Sequence, residues 1–192
     1  GPIRTVEVEM NASVVKSVDR SSVRDRVGDA EWNARQELAA AYRLTDMYGW
    51  ATTLIYNHIS ARVPSPEGEE HFLLNPFGLH YDEVTASNLV KIDLEGNILD
   101  DCPYEINEAG YVIHSAIHAA RPDVNCVIHT HTEAGLAISC LEEGLMFINQ
   151  DALWFYDNVG YHEFEGIACN IDERKRLVAN LGSNFALILP PG

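Results

Sequence analysis

The run Arg-Pro-Asp-Val-Asn-Cys-Val-Ile-His-Thr-His-Thr, residues 121–132, limits this chain more than any other stretch. Arg121-Pro122-Asp123 must end whatever helix precedes it, because proline lacks an N–H and keeps its predecessor out of helical backbone. The apolar, β-branched residues that follow read as a short buried strand, Cys126 to His131, that ends in two histidines one residue apart. Positions i and i+2 of a strand share a face, so His129 and His131 can offer two imidazoles to one point. Converging neutral nitrogens suit Zn, Mn or Fe. A histidine pair can equally line a polar strand end, and the spacing leaves both readings open.

The helix expected from Glu108 to Ala120 carries His114 and His118 four apart on one face. HxxxH followed by HxH outlines a four-histidine site. The alternative is a helix packed on a sheet with both rings satisfied by hydrogen bonds. Glu108 opens this helix, where the dipole alone favours a carboxylate; beside a metal it could also move protons. The turns Asn57-His58-Ile59-Ser60 and Asn75-Pro76-Phe77-Gly78 carry backbone amides that could cradle an anion. His162 reads as a structural polar residue, and Asp82-Glu83 as a helix start.

The remaining pattern predicts a helix over 30–48 capped by Asp29, and a strand–turn–strand over 52–63. A strand follows at 71–74, with a hairpin of 89–94 on 97–99. Helices at 133–141 and 172–181 precede a last strand at 185–189. Residues 1–28 lack steady periodicity and read as an extended lead-in to one domain over 29–192. Strands interleaved with helices imply an α/β sandwich on a mixed, largely antiparallel sheet. With 29 acidic against 13 basic residues, a net charge of −16 argues against a nucleic-acid partner. The sequence holds no apolar run of membrane-spanning length and no signal-peptide pattern. Cys102, Cys126, Cys140 and Cys169 lack metal-type spacing. Buried free thiols in a reducing cytoplasm are therefore expected.

Four stretches together resemble the class II aldolase/adducin family: NHISARV (57–63), LLNPFGLHYDEVTASNLVKIDLEGNIL (73–99), INEAGYVIHSAIHAARPDVNCVIHTHT (106–132) and YHEFEGIACNIDERKRLVANLG (161–182). The resemblance is to the adducin- and decarboxylase-like branch. It implies a three-layer α/β/α sandwich, a homotetramer with sites between subunits, and a divalent metal, usually zinc, with iron or manganese as alternatives. His129 and His131 become metal ligands, and His114 a further candidate. Asn57, Ser60, Asn75 and Gly78 become substrate contacts; for proton transfer the candidate is Glu108, the nearest carboxylate to the position where the family carries its acid. Such an ion polarises a carbonyl and stabilises an enediolate.

The chain departs from the aldolase pattern in three places. Gly110 stands where these aldolases carry their catalytic acid, four residues before His114. Asn107-Glu108-Ala109 replaces the Ser-Ser pair that holds phosphate. Pro191 stands where a third histidine ligand is expected, which leaves three readings: the ligand is missing, another residue replaces it, or the domain is C-terminally incomplete. The resulting expectation is a metal-dependent lyase, by retro-aldol cleavage or decarboxylation, acting on a small non-phosphorylated oxo or hydroxy acid. The alternatives are a non-haem Fe(II) oxygenase of aromatic hydroxy acids on the same scaffold and a non-catalytic, adducin-like assembly module.

Overall fold

Alternation along two adjoining strands builds the layers of this fold. The computed structural model describes residues 22–53, 55–64, 68–163, 165 and 171–191, excepting the side chains of Glu108, Ala109 and Ile171. In β1 (His58–Val63), Ile59 and Val63 point one way and His58 and Ser60 the other. In β2 (His71–Leu74), Leu73 joins the first face while Phe72 and Leu74 join the second. The first face packs on Leu38, Ala39 and Tyr42 of α2 (Asp29–Met47), following a short α1 (Val23–Arg26). On the second face, Phe72, Leu74, Val90 and Ile92 pack on Tyr111 and Val112 of α3 (Glu108–Ala120). Helix, sheet and helix therefore form three layers, as expected.

A four-stranded antiparallel sheet runs β3-β2-β1-β4, with β3 at Val90–Ile92 and β4 at Cys126–His129. After α4 (Glu133–Ser139) and α5 (Gln150–Leu153), β5 (Val159–Tyr161) pairs in parallel with β6 (Ala186–Ile188). The strand set is thus mixed and largely antiparallel. Leu177 and Leu181 of α6 (Ile171–Leu181) bury against Ile117 of α3, with Val127 and Leu187 packed alongside.

Several boundaries differ from the sequence expectation. Asp29 begins α2 and Gly28 caps it without a side-chain bond, while Asp29 pairs with Arg24. Residues 52–57 form turn and irregular backbone where described, so the first expected strand is absent there. The hairpin after β3 shrinks to an Ile92–Ile98 bridge and a Leu99 N–H bond to Lys91. Its turn is tied by Asp93, whose carboxylate accepts from Glu95, Asn97 and the Asn97 amide. Gly96 takes φ +89 there, a conformation open to glycine.

β4 is also not the buried strand expected. It is the outer strand of its sheet, and Cys126 and Ile128 are exposed. Cys140 is exposed as well and Cys102 half-buried, so these thiols are free without being core residues. Cys169 and most of the 1–28 lead-in fall outside the described residues. Among the described residues no helix is long and apolar enough to cross a membrane.

Candidate metal centre

One end of the four-stranded sheet collects the candidate residues, and register explains why. His58 of β1 lies directly opposite His129 of β4. In the β1–β2 register Ala61 faces Leu73. The start of β1, the end of β4 and the Asn75–Gly78 turn after β2 therefore share that end.

His129 closes β4, and His131 lies two residues on, beyond the strand. Their Nε2 atoms are 2.9 Å apart, with ring centroids at 4.8 Å and planes at 77°. His131 does not owe its place to strand alternation. Its backbone N–H donates to Asn57 Oδ1 at 2.9 Å, and the Asn57 amide donates to Thr53 Oγ1 at 3.0 Å. Asn57 is 2% exposed, so it works as an internal clamp on the His131 loop. Tyr56 covers the outer side of His131, its ring 5.5 Å away.

Behind the pair runs a buried polar row. The His58 ring stacks on His129 at 5.0 Å, and its Nδ1 lies 3.0 Å from His114 Nε2. His114 Nδ1 reaches Ser60 Oγ at 2.6 Å, and the same hydroxyl lies 2.8 Å from His118 Nε2. Both nitrogens of His114 are engaged in this row, and Ser60 is held between two histidines.

Burial presses these imidazoles toward the neutral form, and at His58, His114 and His129 repulsion from neighbouring rings adds to it. His58 falls from 6.5 to about 3 and His129 to about 4; His114 is driven well below 6.5 and His131 is lowered. Burial, then Arg62, lowers His118 to about 4. Neutral imidazole is the form that ligates metals. Two Nε2 atoms at contact distance can share a proton in one hydrogen bond or give both lone pairs to one cation, and the donor set fits a borderline ion such as Zn. Among the described residues no three His, Cys, Asp or Glu side chains are arranged to hold a metal. His129 and His131 thus stand as a pair and not as a full ligand set among the described residues.

The remaining candidates are placed as follows. Asn75 is tied to the first layer, its Oδ1 2.9 Å from the Tyr42 hydroxyl and its own N–H donating to that oxygen at 3.2 Å. Gly78 is exposed at φ +86. Glu108 opens α3, with its side chain outside the description. His162 is buried beside Asn180 and Glu173, away from the pair. Pro191 borders a cavity of about 850 Å³ that also takes in His162 and Arg176 but neither His129 nor His131. A smaller cavity of about 530 Å³ reaches His129 and His114 between α3, β4 and β6.

Reading the sequence did not single out His58, because its segment was taken for a turn. The available signal was His58-x-Ser60 on one face of a strand, matched to HxxxH on the opposing helix.

Residues 36–190 match the family described as class II aldolase and adducin N-terminal domain. An aldolase II superfamily protein from Pseudomonas syringae superposes with TM-score 0.83 at 55% identity, covering 88% of this chain and 67% of that one. L-fuculose 1-phosphate aldolase from Glaciozyma antarctica PI12 superposes with TM-score 0.72 at 31% identity, over 83% of this chain and 61% of that one. Alpha-adducin of Mus musculus is 47% identical over 157 residues, 81% of this chain and 21% of adducin. The chain spans 64% of the length of its curated bacterial relatives.

Proposed function

The chain belongs to the class II aldolase and adducin N-terminal domain family, and on that footing we propose that it is the metal-binding part of a lyase. The reaction class is retro-aldol cleavage or decarboxylation, and the substrate a small, non-phosphorylated oxo or hydroxy acid. The observation that carries this reading is the 2.9 Å approach of His129 Nε2 and His131 Nε2, both rings kept neutral by their surroundings.

His129 and His131 would hold a divalent ion, zinc first and iron or manganese next, which supplies Lewis-acid polarisation of a substrate carbonyl. This chain's own residues fix the rings. Asn57 clamps the His131 backbone, and His58 seats the His129 ring. In the Asn75–Gly78 turn at the same sheet end the Asn75 N–H is taken by Tyr42 and the Phe77 N–H by the Glu105 carbonyl, so the exposed Gly78 is the position assigned to meet the substrate. Glu108 is assigned to proton transfer, and Asn107, donating from its amide to the Ile55 carbonyl at 2.7 Å, ties the start of α3 to the loop before β1. The chain is assigned to the cytoplasm as a homotetramer.

Metal analysis after anaerobic purification, followed by turnover assays on 2-oxo and 3-hydroxy acids, tests the reading. Stoichiometric Zn or Mn with carbon–carbon cleavage supports it, and His129→Ala should abolish both. Iron with oxygen uptake would point to an oxygenase instead. A second reading, an assembly module without catalysis, is favoured by Gly110 in the aldolase acid position and by the higher identity to alpha-adducin than to the fuculose-phosphate aldolase. Absence of any metal at every pH supports that module.

A further inference from the structure

Gly110 is a glycine in the first turns of a helix, where only proline is a poorer helix former, so its place there needs a reason. The reason is His58. A methyl group added at 110 would lie 2.4 Å from His58 Cδ2, 2.7 Å from Nε2 and 2.8 Å from Cγ, all inside contact distance. Those atoms belong to a ring, not to the end of a flexible chain. The ring cannot step aside, because it is pinned on three sides. His129 stacks against it at 5.0 Å, His114 Nε2 engages its Nδ1 at 3.0 Å, and its backbone is paired in β1 opposite His129. His58 is 6% exposed.

We propose that His58 is a positioning residue of this centre that fills the space a side chain at 110 would take, making His58 and Gly110 one interdependent pair that sets the His129 ring. Position 110 shares the helix face of His114 and His118, so α3 presents its histidines only while residue 110 carries no side chain. The ring that fills that space hands its orientation on to His129 through the stack and receives its own from His114. Any group other than glycine at 110 would be felt by the cation site through His58. The inference rests on the metal-centre reading above for its consequence, and on packing alone for the pair itself.

A double-mutant cycle separates the two. Wild type, Gly110→Ala, His58→Ala and the double variant are compared metal-free, in chelator, by thermal unfolding. Gly110→Ala should lower Tm by about 3 °C or more in the wild-type background. In the His58→Ala background the same change should raise Tm, since alanine then meets an open space and is the better helix former. His58→Asn, which keeps a donor for His114, serves in the cycle if His58→Ala does not fold. A change of the same sign in both backgrounds overturns the pair.

The second arm titrates Co²⁺ and follows its visible spectrum, which reports ligand geometry. Gly110→Ala and His58→Ala should each weaken Co²⁺ binding roughly tenfold or more, and the double variant no further than His58→Ala. Unchanged Co²⁺ affinity and spectrum in Gly110→Ala overturn the positioning role. Wild type that takes up no Co²⁺ overturns the metal-centre reading and the positioning role together, and the thermal cycle then decides the pair by itself.

Discussion

A row of neutral imidazoles has a cost that the metal-free chain must reveal in acid. His58, His114, His118 and His129 all have folded pKa values below the 6.5 expected of an exposed ring, with desolvation the leading cause. The unfolded chain therefore binds more protons than the folded one between about pH 6.5 and 4, and stability rises with pH across that window. In chelator, the urea midpoint should be flat above pH 7, fall steeply as pH drops below 6.5, and vanish before pH 4. Lowering an imidazole from 6.5 to about 4 or 3, as at His58, His118 and His129, is worth on the order of 3 kcal/mol each, and a domain has only about 5–15 kcal/mol in all. A midpoint that holds to pH 4.5 would sink this account of the row. Bound Zn should push the whole decline to lower pH. Asn57 gives a second residue-level outcome. Asn57→Ala frees the His131 N–H, and Zn affinity by calorimetry should weaken roughly tenfold. At this scale the sequence was half legible. His129 and His131 announce themselves by spacing, but His131 owes its seat to Asn57, 74 residues earlier in the chain. No periodicity carries a contact of that range.

Elements with local start and stop signals were read closely, α2 to within one residue at each end and α3 to the residue. The helix over Glu108–Ala120 is one, since Arg121-Pro122 ends it. Elements defined by partners were not. The short β5 is three residues, Val159–Tyr161, with no alternation to detect, and it exists through its parallel pairing with β6. The strand expected before His58 failed because the chain gains a sheet partner only from His58 onward. Arg35 shows the same dependence at the heart of α2. It is fully buried, bonded to Glu31 one turn earlier and to the Leu89 carbonyl at 2.8 Å, and paired with Asp100. A lone arginine on an apolar helix face gives no hint in sequence that carboxylates 4 residues before it and 65 after it will converge. Arg35→Ala would leave Glu31 and Asp100 to Lys91 alone and orphan the Leu89 carbonyl. Loss of one partner from a buried ion group costs about 3–5 kcal/mol. Tm should fall by about 10 °C, and a drop of under 3 °C would show the network to be dispensable.

At the scale of the molecule, surface chemistry argues for self-association. Between β4 and β5 the chain exposes Met146, Ile148, Leu153, Trp154 and Tyr156, with Ile148 at 79% and Trp154 at 75%. Large apolar side chains gathered in one short segment mark interaction surfaces, which suits the oligomer proposed above. The chain's net charge of −16 works against assembly, because copies of the same sign repel over a Debye length of about 10 Å at 0.1 M salt. Two expectations follow from that balance. Light scattering at 0.15 M salt should give a mass that is a multiple of 21.4 kDa, and raising salt should strengthen assembly by screening the repulsion. Trp154→Glu removes a hydrophobic contact of about 2 kcal/mol and adds charge to a desolvated place. It should weaken association roughly 30-fold per interface or more, shifting the mass toward one subunit without lowering Tm at equal subunit occupancy. Wild type running at a single-subunit mass across all salt concentrations would leave the exposed segment without that role, and would also remove the neighbouring subunit as a source of further donors for His129 and His131.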